Sequence, residues 1–183
     1  MMRLFTAVVP PAAALDELSA AVESARPTAR SLRWTPREQW HVTLLFLGEV
    51  PDEQVDTVAG ALSRVVARHP AMTLSLTGGG TFPTKPVRSH VLWAGLGGDT
   101  EELTALATDL RDAAAELGVP VEKRRFTPHV TVARARITTN LTAPRARLDA
   151  LATDPWEAGE VHLVRSRLGG TPRYQTIATW ELA

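Results

Sequence analysis

Apolar and polar positions along this chain switch repeatedly between a period of two and a period near 3.6. Leu4 to Val9 is an apolar run that reads as a strand, closed by Pro10-Pro11. Leu15, Leu18, Ala21 and Val22 then recur at helical spacing with Asp16, Glu17 and Glu23 between them, which predicts a helix over 13–25 that Arg26-Pro27-Thr28 ends. Leu32-Arg33-Trp34 is a brief extended piece and Thr35 to Glu38 a turn. Trp40 to Val50 predicts a strand, and 52–67 a helix with Val55, Val58, Leu62, Val65 and Val66 as its core stripe. Met72 to Leu76 and His90 to Leu96 read as strands, with Gly78-Gly79-Gly80 between them as a flexible loop. A third helix starts at Asp99 or Thr100, carries Glu101 and Glu102 in its first turn, and is stopped by Gly118. Phe126 to Ala133 predicts a strand, 137–144 a loop and 145–152 a short helix. Val161 to Leu168 and Tyr174 to Leu182 predict a closing hairpin across Gly169-Gly170.

Mixed strands and helices in this order argue for an α+β fold with antiparallel sheets. A strand, a helix and a second strand containing His-Val-Thr occur once in each half, with the two histidines 88 positions apart. This weak repeat predicts one bilobal domain over 1–183, made of two pseudo-symmetric halves that meet near 97–99, with helices outside and a cleft between.

Composition changes the picture mainly by exclusion. The 183 residues are 44% apolar and 22% charged, as in an ordinary globular protein. Formal net charge is zero, so bulk charge offers no argument for wrapping a long nucleic acid. The absence of cysteine excludes disulfides, thiolate metal sites and a cysteine nucleophile. No apolar run approaches the ~20 residues of a membrane helix, and the N-terminal stretch is too short for a signal peptide. We expect a cytoplasmic protein with no membrane partner, working as a monomer.

The chemistry is concentrated in Trp40-His41-Val42-Thr43-Leu44-Leu45-Phe46 and Pro128-His129-Val130-Thr131-Val132-Ala133-Arg134. Alternation puts His41 and Thr43 on one face, and His129 and Thr131 likewise, with about 6–7 Å between imidazole and hydroxyl along the strand. Two such strands side by side make a pocket of two imidazoles and two hydroxyls. Imidazoles titrate near neutrality, so one accepts a proton while the other gives one. Hydroxyls donate to the oxygens of a tetrahedral anion, and a cyclic phosphodiester suits the pair because its leaving oxygen stays tethered. Arginine would stabilise the added charge. Arg134 lies five residues beyond His129, so strict alternation faces it away, whereas a bulge would return it to the site.

Taken with Arg3-Leu4-Phe5, Gly80-Thr81-Phe82-Pro83, Val91 to Gly95, and Ser166-Arg167-Leu168 with Tyr174, these two stretches make the whole chain resemble the bacterial RNA 2′,3′-cyclic phosphodiesterases, also called the 2′-5′ RNA ligase family, of the two-histidine phosphoesterase superfamily. The resemblance implies a duplicated two-lobed fold and metal-independent hydrolysis of a 2′,3′-cyclic phosphate, at an RNA 3′ end or on a small nucleotide, to a 2′-phosphate. It implies His41 as proton donor and His129 as proton acceptor. It implies Thr43, Thr131 and Arg134 as phosphate contacts, Phe5 as a base-stacking residue, and no cofactor. A non-catalytic nucleotide or RNA-end binder, and a two-histidine esterase acting on 2′-5′ oligoadenylate or ADP-ribose cyclic phosphate, are the alternatives.

A zinc site is the rival for the histidines, but neither motif carries an accompanying H-E-x-x-H or carboxylate pair, so no metal is expected. His69 reads as a surface residue, while His90 and His162 read as structural, with His162 within reach of the cleft. Lys123-Arg124-Arg125 reads either as a solvated run or as an attractor for substrate. Gly78-Gly79-Gly80 lacks the following Gly-Lys-Ser/Thr of a phosphate loop. Trp93 is the one tryptophan left open as a nucleotide contact.

Overall fold

The computed structural model describes residues 1–183. Its strands are β1 (Met2–Val8), β2 (Arg33–Trp34), β3 (Val42–Val50), β4 (Met72–Phe82), β5 (Ser89–Gly98), β6 (His129–Thr139), β7 (Trp156–Ala158), β8 (Glu160–Ser166) and β9 (Tyr174–Glu181). Its helices are α1 (Ala12–Ala25), α2 (Val55–Ala67), α3 (Thr100–Glu116) and α4 (Thr142–Leu148). The strands form one sheet in the order β7-β4-β5-β6-β3-β1-β8-β9, with β2 added on β6. Every pairing is antiparallel, and the α+β expectation holds. No helix is long and apolar enough to cross a membrane.

The apolar stripes read from sequence become the core. Leu18 and Val22 of α1, all five stripe residues of α2, and Leu103, Leu106 and Leu110 of α3 are buried against Leu4, Val42, Leu47, Leu74, Leu92 and Val130 of the sheet. The helices pair as α1 with α4 and α2 with α3. They cover one face of the sheet and leave the other to line a cleft.

Two expectations are corrected. First, Gly78-Gly79-Gly80 is not a loop, because β4 continues through it with one bulge between Leu76 and Gly79. A Cβ on Gly80 would meet the Trp93 ring at 2.3 Å, and one on Gly79 would meet Leu148 at 2.6 Å, so these glycines admit close neighbours rather than confer flexibility. Second, β6 continues to Thr139 where a loop over 137–144 is predicted, because it pairs with β5 as far as Ser89↔Thr139; α4 accordingly starts earlier than predicted. Residues 97–98, near the expected meeting point of the two halves, close β5. The spatial halves interleave: β6-β5-β4-β7 comes from the middle of the chain, and β3-β1-β8-β9 from its two ends.

The two groups meet where β3 and β6 share a single recorded pair, Val42↔Val130. Antiparallel continuation through that pair sets His41 opposite Thr131 and Thr43 opposite His129. Both side-chain sets stand on the open face and line the cleft.

Candidate active site

The cleft is lined by 16 residues, among them His41, Thr43, His129, Thr131, Arg134 and Phe5, so the structure brings together every site residue expected from sequence. Its volume is about 470 Å³. Four arginines line it (Arg3, Arg33, Arg134 and Arg173), no carboxylate does, and none of the four makes an ion pair.

Both imidazoles are held the same way. Nδ1 of His41 lies 2.7 Å from the Gln39 carbonyl, and Nδ1 of His129 lies 2.6 Å from the Thr127 carbonyl. A carbonyl only accepts, so Nδ1–H donates in each case and the neutral ring presents Nε2 as an acceptor. The two differ at Nε2. That of His41 lies 2.8 Å from Thr43 Oγ1, which donates to it when the ring is neutral. The side chains thus bridge the 6–7 Å expected along the strand. No protein group bonds Nε2 of His129, and the Thr131 hydroxyl is likewise without a protein partner.

Burial is the main influence on both rings and pushes their pKa below 6.5, because desolvation penalises the imidazolium. The backbone carbonyls partly oppose this shift. The Arg134 guanidinium lowers both rings further, and His129 also lowers His41.

Arg134 reaches the site through a bulge. Trp93 pairs with Thr131 and Leu92 with Ala133, so Val132 is an extra residue in β6. Val132 and Ala133 are both buried, alternation is reset, and Arg134 returns to the face of His129 and Thr131. The first motif carries the same device: Ala7 pairs with Thr43 and Thr6 with Leu45, Leu44 is extra, and Leu44 and Leu45 are both buried. The residue it returns to the cleft is Phe46.

Each imidazole has two aromatic neighbours. Phe5 stacks on His41 with ring centres 4.7 Å apart, and Tyr174 meets the same ring edge-on at 5.4 Å. Phe82 meets His129 edge-on at 4.9 Å, and Trp93 lies 5.8 Å from it. Phe5 is only 4% exposed, so its ring supports His41 and has no open face for a base. Trp93 is likewise a wall of His129, packed into the space that Gly80 leaves. Sequence reasoning did not single out Arg3, Arg33, Phe46 or Arg173. The one usable signal was a lone arginine, Arg3, at the head of an apolar strand.

The remaining histidines lie outside the cleft. His69 is not a surface residue: it is half-buried and bonds Asp109 at 2.8 Å, drawing the end of α2 to α3. His90 contacts Thr138 and His162 contacts Thr179. Lys123-Arg124-Arg125 is exposed, does not line the cleft, and has Arg124 paired with Glu122.

Comparison with known proteins finds relatives of this chain. The family model of the 2′-5′ RNA ligase superfamily matches residues 10–170. An RNA 2′,3′-cyclic phosphodiesterase of Geobacillus stearothermophilus is 30% identical over 81% of this chain and 47% of its own, so this chain spans about half the length of that relative. One of Thermotoga maritima is 30% identical over 73% of this chain and 70% of its own. The crystal structure of Escherichia coli LigT complexed with 3′-AMP superposes with a TM-score of 0.75 and 26% identity, covering 100% of this chain and 98% of that one.

Proposed function

From the premise that this chain belongs to the 2′-5′ RNA ligase superfamily, we propose that it hydrolyses a 2′,3′-cyclic phosphate, on an RNA 3′ end or a small nucleotide, to a 2′-phosphate. The observation that carries the reading is the pair of imidazoles. Both are locked at Nδ1 by a backbone carbonyl and both face a cleft with unpaired arginines and no carboxylate.

His129 is the base. Its Nε2 is unprotonated at neutral pH and free, so it takes a proton from a water aligned opposite the P–O3′ bond. His41 is the acid. An anionic phosphate beside it favours the imidazolium and offsets part of the desolvation that keeps the empty site neutral. The Thr43 hydroxyl, released from His41 Nε2 once that atom carries a proton, donates to a phosphate oxygen, as Thr131 does from the other strand. Water oxygen bonds to phosphorus, the P–O3′ bond breaks, and His41 gives its proton to O3′. The products are a 3′-hydroxyl and a 2′-phosphate. Arg134, which already acts on both rings, faces the charge that develops on the phosphoryl oxygens. Phe5 is a positioning residue for His41 in this reading. Every group comes from one copy, which fits a monomer at work among cytoplasmic RNA ends.

The test is turnover of 2′,3′-cyclic AMP followed by phosphorus NMR. The 2′-phosphate is expected as sole product. His41→Ala and His129→Ala are each expected to lose about 10²–10⁴-fold in kcat while keeping the native circular dichroism spectrum. A 3′-phosphate product would reverse the assigned polarity, and tight nucleotide binding without turnover would make the protein a binder.

A further inference from the structure

The cleft holds more positive charge than one cyclic phosphate can use. A cyclic phosphodiester carries one negative charge, and Arg134 is the guanidinium whose field reaches both imidazoles. Arg3 and Arg173 lie in a second group, built on the β1-β8-β9 side of the cleft. Arg3 pairs with Ser166 across β1 and β8, and Ser166 pairs with Tyr174 across β8 and β9. Directly paired residues share a face, so Arg3, Ser166 and Tyr174 form one row, and all three line the cleft with Arg173.

Both arginines are seated on aromatic rings. The Arg3 guanidinium lies 4.7 Å over Phe46, and that of Arg173 lies 5.8 Å over Tyr174. A guanidinium held over a ring face keeps N–H donors available, and arginine can grip two phosphate oxygens at once. The Arg3 seat exists because of the first-motif bulge. Where the second motif returns Arg134 to the cleft, the first returns Phe46, and the cation on that side comes from β1 instead. The Arg173 backbone is anchored by the bond from Arg167 N–H to its carbonyl, 2.7 Å.

We propose that Arg3, Ser166 and Arg173 form a second anion subsite, which takes the phosphate on the 5′ side of the terminal nucleoside while the cyclic phosphate sits between His41 and His129. This rests on the hydrolytic reading above and names its substrate class: nucleoside 2′,3′-cyclic phosphates carrying a further phosphate. That phosphate is either the next diester of an RNA chain or a 5′-monophosphate.

The experiment compares kcat/KM for adenosine 2′,3′-cyclic phosphate, its 5′-monophosphorylated form and the dinucleotide ApA ending in a cyclic phosphate. Isothermal titration with adenosine 2′-monophosphate and adenosine 2′,5′-bisphosphate runs alongside, and needs no turnover. A preference of about tenfold or more for the two-phosphate ligands is expected in both assays, as befits charge-assisted hydrogen bonds. Arg3→Gln and Arg173→Gln, each checked by its melting curve, are expected to bring the two-phosphate to one-phosphate ratio toward one. Arg173 lies in the turn before β9, so its variant keeps the test open should Arg3→Gln unfold. A preference for the dinucleotide over the 5′-monophosphate identifies the chain diester as the occupant; equality of the two identifies any 5′ phosphate. Equal affinities for adenosine 2′-monophosphate and 2′,5′-bisphosphate in the parent protein, or an unchanged ratio in both variants, overturns the subsite. Absence of turnover on all three substrates with the titration preference intact overturns the hydrolytic reading and leaves the subsite standing.

Discussion

His41 and His129 share one device, a Nδ1–H bond to the carbonyl two residues upstream, and differ in what meets Nε2 and in the aromatic rings around them. Because burial lowers both pKa values below 6.5, the empty site is neutral at pH 7. The kcat/KM profile, which reports the free protein, is therefore expected to be a bell centred on the acid side of 6.5. The kcat profile should sit at higher pH, because bound phosphate raises both rings. A kcat/KM optimum well above 7 would contradict the neutral resting pair, and the two apparent values belong to the pair rather than to either ring. Stability follows the same sign. The unfolded chain binds protons near 6.5 where the folded chain does not, so acidification through that value destabilises the fold and raising the pH restores it. Melting curves from pH 5 to 7.5 should show this slope, reduced in His129→Ala.

At the scale of elements, the helices and most strands were legible because long periodic stripes such as that of α2 are buried as a unit. The motif strands were legible because an imidazole and a hydroxyl two residues apart must share a face. The bulges at Val132 and Leu44 were not, since an inserted residue leaves no mark in an apolar run that already reads as buried on both faces. Arg134 was consequently ambiguous, and Phe46 passed as one more apolar position. The glycine run misled because glycine serves close approach as well as freedom. Gly80→Ala distinguishes the two: a Cβ 2.3 Å from Trp93 must displace a ring that walls His129. We expect a loss of about 1–3 kcal/mol in chemical denaturation, together with reduced kcat. A flexible loop would tolerate the change without either. Three-residue β7 escaped detection because so short a strand has no period to read.

At the scale of the molecule, a chain of zero net charge gathers four unpaired guanidiniums in one cleft. Bulk composition hid this, because the compensating carboxylates lie elsewhere on the surface. Low-dielectric walls focus such a field and draw anions in, and salt screens it over about 8–10 Å at physiological ionic strength. The value of kcat/KM for an anionic substrate is expected to fall several-fold between about 50 and 500 mM salt, with kcat much less affected. An unchanged kcat/KM would show that the arginines act by contact alone.

The interleaved strand order also has a consequence in time. During synthesis β1 can pair with β3 as soon as both have emerged, and β4 to β7 follow as one consecutive block, whereas the other edge of β1 waits for β8. A ribosome from which residue 140 has emerged has already delivered both histidines. It has not delivered Ser166, Arg173 or the Tyr174 ring that packs against His41. The working cleft is thus complete only after β8 and β9 have followed the two histidine strands out of the ribosome.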